Sequence, residues 1–174
     1  MYDIVALPSE QRTSVRVMET AVALRELRDD DLEVLYQNQA DPESAAMAGV
    51  EARDRDRDRD EFLTHQARVT ADLEALQRVI MLDGCQVAGN IAAWRAASGA
   101  REIGYRIGRR YWGQGVATAA LVTFLAEFGE RPLYAHVLKT NASSIRVLEK
   151  CGFAQIPEGE ELDDDPEAYE FALR

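Results

Sequence analysis

The sequence predicts a mixed α+β fold, with helices on both faces of one sheet. Two observations carry this prediction: hairpin-like strands lie in the first half of the chain, and strands alternate with helices in the second. Hairpins make antiparallel neighbours and strand–helix–strand passages make parallel ones, so the sheet should be mixed and mostly antiparallel. We expect residues 1–174 to form a single domain, with residues 1–20 as an N-terminal arm or an extra strand.

The first half of the chain alternates short strands with two helices. Residues 22–27 (VALREL) alternate like a strand, and residues 29–41 start with three acids and carry apolar side chains at helical spacing. Helical periodicity returns over 61–76 (EFLTHQARVTADLEAL). The Asp-Gly pair at 83–84 lies between two apolar runs, which predicts a β-hairpin over 79–94.

Residues 53–60 read RDRDRDRD, an alternation of positive and negative charge. On a helix this pattern places opposite charges three residues apart and like charges four apart. Two interpretations stay open: a solvated loop running into the following helix, or a charged wall beside a substrate.

The second half of the chain predicts strands and helices in alternation. Strands are expected at 101–108 and 133–138, and helices at 116–129 and 141–152. Asn141 is a suitable N-cap for the last helix and Gly152 a suitable stop. Residues 153–156 and 167–174 are expected to pair as closing strands, joined by the acidic loop 158–167.

Composition excludes several classes of partner. With 31 acidic against 20 basic residues the net charge is -11, which argues against a general nucleic-acid-binding surface. No run approaches the roughly 20 apolar residues of a membrane span. The first residues lack a basic region followed by an apolar one, so the expected location is the cytoplasm.

Cys85 and Cys151 indicate neither a metal site nor a disulfide. They lie far apart, with no His or Cys at the spacing of metal ligands. We expect two buried free thiols and no metal.

The segment RRYWGQGVATAAL (109–121) places two glycines at the start of a predicted helix. A glycine turn between a strand and a helix presents free backbone N–H groups at the positive end of the helix dipole. Phosphate is the usual ligand there, and glycine lets it approach the backbone because no Cβ intervenes. The segment therefore predicts a phosphate site.

Three phosphate-binding patterns compete for this turn. A dinucleotide-binding fingerprint requires a third glycine at the position of Thr118 and an acidic residue about 20 residues later. This chain has neither. A triphosphate loop would need Lys and Ser or Thr after Gly113, where Gln114 and Gly115 stand. The pattern Arg/Gln-x-x-Gly-x-Gly/Ala is met by Arg110, Gly113 and Gly115.

Together with NASSIRVLEKCGF (141–153), this turn resembles the GNAT superfamily of N-acetyltransferases. Within it, the resemblance is to the branch of ribosomal-protein alanine and serine N-terminal acetyltransferases, over roughly residues 80–156. It implies splayed parallel strands in the middle of the sheet, acetyl-CoA as cosubstrate, no metal and a homodimer. The implied acceptor is a primary amine on a small molecule or a protein N-terminus. A non-catalytic acyl-CoA sensor and a transferase for a longer acyl group remain alternatives.

The resemblance also implies roles for individual residues. The pyrophosphate would rest on the turn and the first helical residues: Arg110, Gly113, Gln114, Gly115, Val116, Ala117 and Thr118. Ile107 would offer its N–H to the thioester carbonyl, and Asn141 would contact the pantetheine arm. Ser144 lies one turn further along the same helix, and Lys150 also matches the pattern.

The chain departs from the family at the acid that protonates the leaving thiolate. Many members carry a tyrosine where this chain has Leu148, so Ser144 is the substitute expected from the resemblance. Glu102 is the first choice for the base and His136 the second; each is also compatible with an ordinary sheet residue.

The acceptor amine stays open between two classes. The pKa of a lysine-like amine, about 10.4, lies about 3 units above neutral pH, whereas the pKa of an α-amine, near 8, lies about one unit above it. The α-amine is therefore easier to deprotonate. A site without a conspicuous base therefore suits an α-amine. The acidic loop 158–167 favours a cation such as a polyamine, an aminoglycoside or a basic peptide.

Overall fold

A computed structural model describes residues 4–6, 13–17, 20–48, 58–160 and 165–174. Nine strands in these ranges form one sheet, in the order β1-β2-β3-β4-β5-β6-β7-β9-β8. Their bounds are Ile4–Ala6 (β1), Thr13–Val17 (β2), Thr20–Arg25 (β3), Leu76–Leu82 (β4), Gln86–Arg95 (β5), Arg101–Ile107 (β6), Leu133–Leu138 (β7), Ala154–Gln155 (β8) and Ala168–Leu173 (β9).

The sheet is antiparallel except at its centre, where β6 and β7 run parallel. Within the described chain these two strands are paired at a single position, Glu102 with Tyr134. Both strands then continue to Ile107 and Leu138. The predicted mixed sheet with splayed parallel middle strands is confirmed, and the splay leaves one edge of β6 open.

Helices cover both faces of the sheet, as predicted. The bounds are Leu32–Ala40 (α1), Pro42–Met47 (α2), Arg59–Ala71 (α3), Val116–Glu127 (α4) and Ala142–Lys150 (α5). On one face α4 and α5 pack on a core that includes Ile91, Phe124 and Leu133. On the other face Leu35 of α1 and Phe62 of α3 pack against β4.

Two helix predictions were incomplete. The helix expected over 61–76 ends at Ala71, because the Asp72 carboxylate accepts a hydrogen bond from the Glu74 N–H and closes a turn. Leu73 is consequently fully exposed, and β4 begins at Leu76. Helix α2 was missed altogether, although Asp41 caps it by accepting a bond from the N–H of Ser44.

Three expectations concern parts of the chain described only partly. Residues 53–57 of the RDRDRDRD run and residues 161–164 of the acidic loop lie outside the described residues. Residues 4–6 and 13–17 form antiparallel strands that extend the sheet beyond β3.

Among the described helices, none has the length and apolar character needed to cross a membrane.

The two cysteines differ in exposure. Cys85 lies exposed in the hairpin turn after β4, so the expectation that it is buried was wrong: a tight turn cannot cover its own side chain. Cys151 is half-buried at the end of α5, where its thiol faces the Thr118 carbonyl at 3.8 Å. No cluster of potential metal ligands occurs in the described ranges.

Candidate active site

The turn between β6 and α4 has the backbone conformation that glycine allows. Gly113 and Gly115 both have positive φ, 72° and 78°, and Gly115 is the N-cap of α4. A Cβ on Gly113 would meet no atom within 4 Å, so the space in front of the turn is open. The first intrahelical bond runs from Ala119 to Gly115, which leaves the N–H groups of the first helical turn for a ligand.

The open edge of β6 carries backbone groups that β5 does not use. Gly108 N–H donates to the Ala88 carbonyl at 2.7 Å, and Ile107 lies opposite Gly89. Hydrogen-bonded pairs alternate along an antiparallel ladder, so the N–H groups of Ile107 and Tyr105 point away from β5 and into the splay. The indole of Trp112 fixes this strand end by donating to the Ile107 carbonyl at 2.7 Å.

A cleft of about 450 Å³ runs from the glycine turn into the gap between β6 and α5. Among the described residues that line it are three cations, Arg106, Arg146 and Lys150, and no carboxylate. In a protein of net charge -11 this local excess of positive charge suits an anionic ligand. The sequence-predicted residues on its wall are Ile107, Gly113, Gly115, Val116, Ala117, Thr118, Asn141, Ser144 and Lys150.

Two predicted cofactor residues do not line this cleft. The Gln114 amide turns back and donates to the Arg110 carbonyl at 2.8 Å. The Arg110 guanidinium lies over the ring of Tyr111, 4.6 Å from its centre. Both side chains therefore support the turn, and any contact that they make with a phosphate goes through their backbone.

The start of α5 is held by hydrogen bonds on both ends of the Asn141 amide. Its oxygen accepts from the Ser144 N–H at 3.0 Å, as predicted for an N-cap, and its nitrogen donates to the Met47 carbonyl at 2.8 Å. The Ser144 hydroxyl lies 2.6 Å from the Tyr105 hydroxyl. Leu148, the position of the family tyrosine, is 2 % exposed and belongs to the apolar core.

A second cleft, of about 670 Å³, opens on the other face of the sheet between α3 and the strands β4 to β6. The two clefts share Tyr105 and Arg106, so they meet on β6. Trp94 forms part of its floor and lies over Gly104, where a Cβ would come within 3.1 Å of the indole. A molecule in each cleft could therefore reach the same stretch of β6.

Glu102 and His136 come together but line neither cleft. The His136 Nε2 lies 3.6 Å from Glu102 and 3.8 Å from the buried Glu170. Glu102 shares a sheet face with Gly104, two residues further on, which lines the second cleft. At about 3.3 Å per residue, Glu102 lies about 10 Å along β6 from Tyr105.

The sequence and fold are similar to those of known proteins. The family model described as "Acetyltransferase (GNAT) domain" matches residues 22–154. The chain belongs to the GNAT acetyltransferase family. No curated protein matches its sequence significantly.

Solved structures with this GNAT fold include three informative ones. RimJ from Mycobacterium smegmatis, in complex with CoA-disulfide, is 22% identical with a TM-score of 0.70, covering 93% of this chain and 86% of that one. Spermidine N-acetyltransferase from Vibrio cholerae, in complex with CoA and spermine, is 16% identical with a TM-score of 0.70, over 87% and 92%. The GNAT domain of S. lividans PAT is 19% identical with a TM-score of 0.72, over 97% and 99%.

Three residues around this GNAT site escaped the sequence analysis. Tyr105 contacts Ser144, Trp112 holds the end of β6, and Trp94 lies on the floor of the second cleft. Trp112 lies within the glycine segment 109–121, so an indole beside the turn was the available signal. Tyr105 gave none, because its partner is 39 residues away.

Proposed function

We propose that this GNAT protein is an acetyl-CoA-dependent N-acetyltransferase that moves the acetyl group to a primary amine while both substrates are bound. One observation carries the proposal: a positively lined cleft at the α4 N-terminus meets a second cleft on β6. A cosubstrate in the first cleft and an acceptor in the second would meet at Tyr105 and Arg106.

The residues of the first cleft fit the parts of coenzyme A. The N–H groups of Val116, Ala117 and Thr118 would bind the pyrophosphate, since they lie at the positive end of α4. The open edge of β6 would pair with the amides of the pantetheine arm. Arg146 and Lys150 lie along the α5 wall, where they would attract the phosphates.

Three contributions from the chain would speed the transfer. Holding the amine and the thioester together supplies proximity, worth several kcal/mol. The Ile107 N–H, directed into the splay, would stabilise the oxyanion. Ser144, on the wall of the same cleft, would return a proton to the sulfur.

For the acceptor we favour an α-amine or another amine of low pKa. Glu102 would reach the amine only through water, at about 10 Å along the strand. Removing a proton from a lysine-like amine at neutral pH costs about 4 kcal/mol, against about 1 kcal/mol for an α-amine. The spermidine enzyme and RimJ have equal TM-scores to this chain, so fold likeness favours neither acceptor class.

Release of free thiol from acetyl-CoA tests the proposal. Purified protein is assayed against peptides with free N-termini, polyamines, aminoglycosides and amino acids, with coenzyme A affinity measured in parallel. We expect turnover with α-amines. Tight coenzyme A binding without turnover on any amine would favour a non-catalytic sensor, and faster turnover of a longer acyl-CoA would favour a different acyl donor.

The role of Glu102 is tested by Glu102→Gln. If Glu102 accepts the proton through water, the variant loses more turnover on a lysine-like amine than on an α-amine, by a factor of about ten or more. Glu149→Gln, on the exposed side of α5, is the control for loss of one carboxylate. Equal losses on both amines would remove Glu102 from proton transfer.

We further propose a single domain over residues 1–174, a homodimer in solution and a cytoplasmic location. Light scattering on the purified chain measures the mass directly, against 19.4 kDa for one copy. Single cooperative unfolding, followed by two spectroscopic probes, is expected of one domain.

A further inference from the structure

We propose that Tyr105 is a positioning residue that turns the Ser144 hydroxyl proton toward the sulfur of the acyl donor. The inference rests on the proposed function and extends it to a residue on a different element. The geometry that supports it is the 2.6 Å contact between the two hydroxyl oxygens, which joins β6 to α5.

Chemistry decides which hydroxyl donates in this pair. A phenol is the stronger hydrogen-bond donor and an alkyl hydroxyl the stronger acceptor, so the Tyr105 O–H points to the Ser144 oxygen. The alternative acceptor, the Ser144 carbonyl, lies 3.5 Å from the phenol oxygen. The Ser144 proton is then left to point into the cleft, and accepting a bond makes this hydroxyl a better donor.

The backbone of α5 at Ser144 is held in place by hydrogen bonds. Its N–H is held by the Asn141 side chain at 3.0 Å, and Asn141 is itself anchored to the Met47 carbonyl. Tyr105 packs against the apolar core, and Ser144 and Tyr105 both line the cofactor cleft. The pair therefore stands preformed at the place where the two clefts meet.

The phenol keeps its own proton throughout the reaction. Burial raises the pKa of Tyr105 to about 12, although the hydrogen bond with Ser144 works in the opposite direction. At neutral pH the phenol is a permanent donor to Ser144, and it does not titrate in the working range. It thus orients the serine and does not itself transfer a proton.

The amine supplies the proton that the leaving thiolate finally takes up. As the C–N bond forms and the C–S bond breaks, the electron pair of the C–S bond goes to sulfur. Sulfur takes the Ser144 proton, and Ser144 regains a proton from the nitrogen through water. The amine loses one proton, the thiol gains one, and Ser144 and Tyr105 end unchanged.

This arrangement replaces the tyrosine that many family members carry at the position of Leu148. Leu148 lies in the core, so the phenol in this chain comes from β6 and contacts α5 at Ser144. The hydroxyl that meets the sulfur is then the serine's.

The test is a double-mutant cycle with Tyr105→Phe, Ser144→Ala and the double variant, read in the thiol-release assay. We expect each single change to lower kcat by about tenfold to a hundredfold while KM for acetyl-CoA stays within about twofold. The double variant should be no slower than Ser144→Ala, because Tyr105 acts through Ser144. Independent, multiplicative losses would overturn the proposal, as would an unchanged kcat in Tyr105→Phe.

Tyr169→Phe is the matched control. It removes a phenol oxygen from β9, outside the residues that line the cofactor cleft, and kcat should not change. Circular dichroism and thermal unfolding of each variant show whether Tyr105→Phe still folds.

A binding experiment separates this proposal from the proposed function. Titrations with coenzyme A and with its desulfo analogue are compared between pH 7 and pH 9.5. A hydroxyl aimed at sulfur stabilises the thiolate, so the preference for coenzyme A should grow with pH in the wild type and vanish in both single variants. If Tyr105→Phe left the preference for coenzyme A over its desulfo analogue unchanged, Tyr105 would not orient Ser144. This conclusion would hold whether or not any amine is acetylated.

Discussion

At the scale of single residues, the glycine turn owes its function to backbone shape. The positive φ of Gly113 requires glycine, while the space beside it is empty of protein atoms. A side chain there would both strain the turn and occupy the volume in which a phosphate would bind. The two effects can be separated, because Gly99 also has positive φ and does not line the cleft at the α4 N-terminus.

We expect Gly113→Val to lower coenzyme A affinity by at least about a hundredfold, through loss of several N–H bonds to the pyrophosphate. Gly99→Val is the matched control, since Gly99, in the turn between β5 and β6, also has positive φ (85°) and no atom within 4 Å of where its Cβ would lie. Both variants should lose about 1–2 kcal/mol of stability. Calorimetric titration measures the affinity, and equal affinities in the two variants would contradict the pyrophosphate assignment.

The two thiols should react at very different rates. Burial raises the pKa of Cys151 to about 11, partly offset by Lys150, whereas Cys85 is exposed in a turn. The thiolate is the reactive form, so an aromatic disulfide reagent at pH 8 should modify one thiol quickly. Cys85→Ser should abolish that fast phase and Cys151→Ser should leave it. Rapid modification of two thiols in the folded wild type would contradict the expectation that burial protects Cys151.

Local signals explain which site residues could be read from the sequence. The glycine turn and the Asn141 cap depend on a few consecutive residues, so the sequence predicted them. The contact of Tyr105 with Ser144 is made by tertiary packing between a strand and a helix. No local pattern encodes such a contact, and it became visible only in the fold.

At the scale of elements, one partly buried ion pair ties the end of β3 to the turn that leads into α1. Arg25 at the end of β3 holds Asp31 by two hydrogen bonds of 2.6 Å, and the Arg28 N–H adds a third at 2.8 Å. Burial alone would raise the pKa of Asp31, but these bonds outweigh it and lower the pKa. The pair therefore stabilises the fold as long as the carboxylate stays ionised.

Asp31→Asn should lower the free energy of unfolding by about 1–3 kcal/mol at pH 7, because it replaces the charge-assisted hydrogen bonds to Arg25 with a neutral one. A lowered pKa contributes stability above the unfolded value, near 3.9, that is lost as the pH falls through the folded value. The gap between wild type and variant should therefore begin to narrow as the pH falls below about 4. Urea unfolding measures it, with exposed Asp30→Asn as control; a pH-independent gap would contradict the linkage.

Elements with strong local patterns were predicted well, and weaker ones were not. The Asp83-Gly84 hairpin and α4 agree with the sequence because turn chemistry and apolar spacing point the same way. Helix α2 has six residues, too few to show a period. The end of α3 depended on the side chain of Asp72, which competes with the helix for backbone hydrogen bonds.

At the scale of the whole molecule, ligand binding should be visible in stability. If coenzyme A binds the folded state alone, a concentration one hundred times its Kd adds about 2.7 kcal/mol to the free energy of unfolding. For a chain of this length the thermal midpoint should rise by about 5–10 °C. Differential scanning fluorimetry measures the rise, and Gly113→Val should abolish it. A thermal midpoint that coenzyme A does not change would exclude tight binding.

The meeting of two clefts at one pair of residues on β6 has a practical consequence for inhibition. A single compound that joins coenzyme A to an acceptor through its sulfur could occupy both sides of the sheet at once. Because the two halves are tethered, the second binds at a high effective concentration, and the affinity should exceed that of either half alone. The affinities of a series of such compounds with different acceptor halves would then rank the amines by how well they bind, independently of how fast each is acetylated.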